Sequence, residues 1–114
     1  MSIIESLISG ATADVDVLHS LDKHGDDFSI ARDVDFVFRT PTKEKADAVI
    51  GFINVHQYGV ARLEHPENEY RVLVTINMPI QQHIILSVSG FMSCLSALFG
   101  VEYDGWGCPV KRPA

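Results

Sequence analysis

The chain predicts an α+β sandwich: an antiparallel four-stranded sheet carrying two helices on one face, preceded by a helical extension. Three observations lead there. Apolar residues recur with a period near 3.6 up to about His24 and with a period of 2 from Val34 onward. Past that switch the patterns alternate as strand, helix, strand, strand, helix, strand, which is the split-βαβ order of the ferredoxin-like sandwich. A length of 114 residues with 46% apolar side chains suits one domain with one core.

Each element follows from its local pattern. Ile3, Ile4, Leu7 and Ile8 lie at helical spacing, and Gly10 is expected to stop that helix after about two turns. A second short helix is expected from the acidic turn of Asp14 and Asp16, burying Val17, Leu18 and Leu21 and ending at His24, with Gly25 as the residue after its cap. Val34, Phe36 and Phe38 alternate with Asp35, Val37 and Arg39 as the first strand. Thr40 then offers an N-cap with Pro41 behind it, and Ala46, Val49, Ile50 and Ile53 form an apolar stripe running to about Tyr58, with Gly59 as the stop.

Val60–Glu64 reads as a short strand, and the polar run from His65 to Glu69 as a hairpin loop. Tyr70, Val72, Val74 and Ile76 mark the third strand. Pro79 is expected to open a second helix capped by Asn77 or Met78, with Ile80, Ile84, Ser87, Phe91, Leu95 and Leu98 facing inward and Gly100 closing it. Val101–Tyr103 completes the sheet and runs into a Gly-Trp-Gly turn. Two right-handed crossovers place both helices on one side of the sheet. Apolar Val37 and Leu73 on the other side predict cover from water-excluding neighbours, either the N-terminal helices or a partner. The boundaries expected are 1–25 for the helical extension, 26–108 for the ferredoxin-like domain and 109–114 for a short tail.

The run Glu102, Tyr103, Asp104, Gly105, Trp106, Gly107 holds the chain's only Trp together with two carboxylates and two glycines. Two readings stay open. As a structural corner, Trp106 plugs the core edge and Asp104 bonds nearby backbone N–H groups. As a recognition surface, the aromatics are binding anchors. Under either reading the run contains no catalytic pair.

Charge narrows the partners. The net charge is −6, and residues 1–38 carry eight acids against two bases while the remainder balances. Such a surface repels phosphate backbones and favours basic partners, so no direct nucleic-acid binding is expected. The strand Tyr70–Ile76 also lacks the glycines and paired aromatics of an RNA-recognition sheet. His19, His24, His56, His65 and His83 have no ligand spacing, so neither a metal nor a cofactor is expected. With no nucleophile motif or phosphate loop, neither is an enzyme.

Cys94 and Cys108 lack a paired framework and read as free thiols. No continuous apolar run reaches the roughly 18 residues of a membrane span, and Glu5 sits where a secretory signal would be basic. A cytoplasmic location is expected. In the polar cluster before the first strand, Arg32 is expected either to be solvated or to bridge Asp104 or an Asp26 neighbour, fixing that loop.

Leu18–Leu21, Gly25-Asp26-Asp27-Phe28, Arg32-Asp33-Val34-Asp35 with Phe36 and Phe38, and Glu102–Gly107 together resemble the regulator of ribonuclease E activity B family across roughly residues 18–107. The resemblance implies a ferredoxin-like sandwich and a small cytoplasmic protein inhibitor that binds ribonuclease E outside its catalytic domain. It implies no catalytic residues. The positions carried over are Gly25, Asp26, Asp27, Arg32, Tyr103, Asp104, Gly105, Trp106 and Gly107. The resemblance implies a long acidic C-terminal tail, as in the family's founding regulator, whereas Cys108–Ala114 is short and basic. From other classes, a small-ligand sensor and an immunity-like protein that neutralises a basic partner are the alternatives.

Overall fold

A computed structural model describes residues 2–114. The elements are α1 (Ile3–Lys23), β1 (Arg32–Thr40), α2 (Lys43–Val55), β2 (Val60–Glu64), β3 (Tyr70–Met78), α3 (Gln82–Phe99) and β4 (Glu102–Gly107). All neighbouring strands are antiparallel in the order β2-β3-β1-β4. The sandwich and its topology agree with the expectation from sequence.

Alternation fixes the faces of the sheet. Val34, Phe36 and Phe38 of β1 and Val74 of β3 are fully buried against Ala46, Val49 and Ile53 of α2 and Ile85 and Met92 of α3. Asp33, Asp35, Val37 and Arg39 point the other way, opposite Asn77, Thr75, Leu73 and Arg71. No element covers that second face among the described residues. α1 packs instead on α3 and β4, so the cover expected for Val37 and Leu73 does not come from the N-terminal helix.

Three boundaries differ from expectation, each for a physical reason. α1 is one helix of 21 residues that runs straight through Gly10. A glycine inside a helix costs about 1 kcal/mol, a cost that the packing of α1 on α3 offsets; Gly10 faces α3, with Ser93 Oγ at ordinary contact distance, 3.7 Å, from where a Cβ would stand. Ser2 caps the helix by accepting the Glu5 N–H at 3.1 Å, half of a Ser-x-x-Glu capping box. Thr40 does not cap α2, because its backbone is committed to the pairing with Tyr70; the cap position falls to Thr42.

α3 starts at Gln82 rather than Pro79, since the Ile80 N–H donates to the Phe28 carbonyl at 2.9 Å and holds Pro79–Gln81 out of the helix. The inward face of α3 also differs: Ile85, Ser89, Met92, Ser93 and Leu95 are buried, while Ser87 and Leu98 are exposed. Of the expected stripe, Ile80 and Leu95 are buried and Ile84 and Phe91 pack partly buried against the core, while Ser87 and Leu98 lie on the outer side. Among the described residues α3 is the one helix long and apolar enough to cross a bilayer. In this fold its serine-bearing side packs against α1 and β4.

Candidate functional site

The Glu102–Gly107 run is strand along its whole length, not a strand followed by a turn. Phe38 pairs with Tyr103 and Phe36 with Trp106, so Asp104 and Gly105 share the space opposite Val37. This is a β-bulge, with Gly105 at φ +89°. In a regular strand, residues three apart face opposite sides. The bulge resets the alternation, so Tyr103 and Trp106 both enter the core, and the mixture of aromatics and glycines has its explanation.

Once inside, the two aromatics join a polar chain. Trp106 is 9% exposed, and its indole N–H donates to Asp14 Oδ1 at 2.9 Å. Ser89 of α3 stands beside Asp14 and favours its charged form, and the Ser89 hydroxyl lies 2.8 Å from the Tyr103 hydroxyl. Burial pushes the Asp14 carboxyl above its usual range despite these two neighbours. The Tyr103 phenol is pushed up for the same reason. Asp14 and Ser89 were not singled out from sequence, although Asp14, Leu18 and Leu21 share one helical face and the indole N–H required an acceptor.

The carboxylates of the run face outward. Asp104 pairs with Arg39 Nε, and Glu102 accepts from Arg39 Nη2 at 2.8 Å. Glu69 approaches Arg39 at 3.7 Å and Arg71 at 3.5 Å. Asp104 therefore binds a side chain across the sheet, not the nearby backbone N–H groups of the corner reading. Cross-strand Arg39 was assigned no role from sequence, and only the register with Glu102 reveals it.

Gly25, Asp26, Asp27 and Arg32 belong elsewhere. Arg32 is fully buried and pairs with Asp26, not with Asp104. It also donates to the carbonyls of Asp27 at 2.8 Å, Ile30 at 3.0 Å and Pro109 at 3.2 Å. Asp26 accepts the Lys111 N–H at 3.1 Å, the Asp27 N–H donates to the Lys111 carbonyl at 2.8 Å, and Gly25 turns the chain at φ +79°. These residues clasp the chain's last segment to the end of α1. Cys108, whose thiol is raised by burial, sits beside this clasp, and both cysteines are free.

Between α1, α3 and β4 runs a groove of about 460 Å³. Ser6, Ser9, Gly10 and Ala13 form one wall and Val101–Gly105 the other, with Asp14 buried between them. The two sheet edges are treated differently. On β2, the Asn54 side chain bonds both the N–H of Ala61 at 2.8 Å and its carbonyl at 3.0 Å, sealing the edge. The outer edge of β4 makes no such backbone contact among the described residues and opens on the groove. No three metal-ligating side chains converge among the described residues.

The family model described as regulator of ribonuclease activity B matches residues 11–108, and the chain belongs to that family. No curated protein matches it.

Proposed function

We propose that this chain, working as the members of its family do, is a cytoplasmic protein-binding regulator whose partner is ribonuclease E, and that it lowers RNA processing without cutting RNA. One observation carries the reading: the family match over residues 11–108 takes in β4 and the side chains that bond to it, Asp14, Arg39 and Ser89. The −6 net charge supports it, because an acidic surface disfavours RNA and attracts basic protein segments. The side-chain chemistry supports it too, since the carboxylates near β4 are engaged in ion pairs and hydrogen bonds, not held ready for proton transfer.

The test uses purified ribonuclease E. The immobilised chain is expected to retain the enzyme, to release it as salt rises through screening of exposed charges, and to slow its cleavage of an RNA substrate. Retention of naked RNA, or an unchanged cleavage rate at saturating protein, would sink the reading.

A further inference from the structure

We propose that the open edge of β4 and the groove beside it receive an extended basic segment of a protein partner, with one Lys or Arg side chain seated against Asp14. This deepens the protein-binding reading and rests on it for the claim that the partner is a protein.

Three independent observations converge on the groove. The first is the unequal treatment of the sheet edges. An exposed edge is a template for an added strand, and proteins normally blunt it. Asn54 does so at Ala61 of β2, whereas Glu102–Gly105 of β4 receives no such side-chain seal among the described residues and lines a cavity. The second is the room available. At about 460 Å³ the cavity falls in the range of ligand pockets, roughly 300–1,000 Å³. Its α1 wall is built from Ser6, Ser9, Gly10 and Ala13, whose small side chains leave space beside the strand.

The third is the charge at the bottom. The other deeply buried carboxylate, Asp26, has Arg32 as its counter-ion. Asp14, 6% exposed, accepts from the neutral Trp106 indole beside the neutral Ser89 hydroxyl, and among the described residues no Lys or Arg lines the groove. A buried carboxylate without a cation is an unfavourable arrangement that an incoming Lys or Arg relieves. Glu102 and Asp104 add negative charge at the rim, where Arg39 and Arg71 face three acids with Glu69 included. In an added strand, alternate side chains point to the same side, so a basic residue at every second position suits a segment lying along β4.

The chain carries its own reporter, because its single Trp donates to Asp14. A short blocked peptide alternating arginine with valine is titrated while Trp106 emission and backbone amide shifts are followed. Saturable binding is expected, with shifts at Val101–Gly105 and Ser6–Ala13. Asp14→Asn, which keeps the shape and removes the charge, is expected to weaken it at least about tenfold. Ala13→Arg, at an exposed position that adds a competing cation to the wall, should do the same. An alternating glutamate–valine peptide should not bind, and methylation of alternate peptide nitrogens should abolish binding of the basic one.

The proposal is overturned if the basic peptide fails to saturate, if both variants bind it like the parent, or if the shifts fall on the open sheet face. The two readings fail separately. Ribonuclease E slowed equally by parent and Ala13→Arg would remove the groove and leave the regulator. Asp14-dependent peptide binding with no effect on ribonuclease E would remove the named enzyme and leave the groove.

Discussion

Trp106 contributes to the fold through its ring and through its N–H, and substitution separates the two. Trp106→Ala empties a nearly closed site and is expected to cost about 3–5 kcal/mol in urea unfolding. Trp106→Phe keeps most of the apolar contact and loses the bond to Asp14, at about 1–3 kcal/mol. An exposed anchor would show neither cost. Asp14 adds a pH signature. Burial raises its native pKa above the ordinary 3.8, so the folded chain holds this proton more tightly than the unfolded chain. The resulting stabilisation is fully present below pH 3.8 and is lost as pH rises through the raised value. Asp14→Asn lacks that loss. Its urea midpoint relative to the parent is expected to climb from acid toward neutral pH, and a flat difference would show that the carboxyl is not perturbed.

At the scale of elements, two glycines with opposite surroundings make a paired prediction. Gly51 lies inside α2, where an added Cβ meets nothing within 4 Å, so Gly51→Ala should stabilise by about 0.5–1 kcal/mol. At Gly59 a Cβ would come within 2.9 Å of Val74 Cγ1 and Ile76 Cγ1, so Gly59→Ala should destabilise by about 1–3 kcal/mol. Thermal unfolding of both variants checks this, and equal effects would refute the packing argument. The same contrast explains what sequence could show. β1 was legible because one buried face imposes strict alternation, and β2 and β3 because they follow that alternation in part. α3 was legible as a helix but not in its rotation: with apolar residues all around, its inward face is chosen by contacts with α1 and the sheet, and burial goes to Ser89 and Ser93 in place of Leu98. Gly10 misled for a related reason, since a local helix breaker is overridden when the helix packs along its length against the rest of the fold.

For the whole molecule, element order sufficed to give the topology, while the polar links that tie its ends together lay beyond any local pattern. Trp106 meets an acceptor 92 residues away and Arg32 one 77 residues away. Gly25, Asp26, Asp27 and Arg32 stood out in the sequence as a motif, yet only the fold shows that they clasp the final segment. That clasp yields a test of how the two ends hold together. Both side chains of the Asp26–Arg32 pair are fully buried, so Asp26→Ala leaves a guanidinium in the interior with carbonyl partners alone. Removing one member of such a pair costs about 3–5 kcal/mol, whereas replacing both with apolar side chains is often neutral. Asp26→Ala is therefore expected to lower the urea midpoint sharply and to free the amides near Lys111 for hydrogen exchange. Adding Arg32→Met should recover much of the stability but not the exchange protection, because Lys111 still lacks its Asp26 acceptor and Pro109 its Arg32 donor. If the double variant is as unstable as Asp26→Ala, the loss comes from the missing hydrogen bonds to the tail and not from a stranded charge.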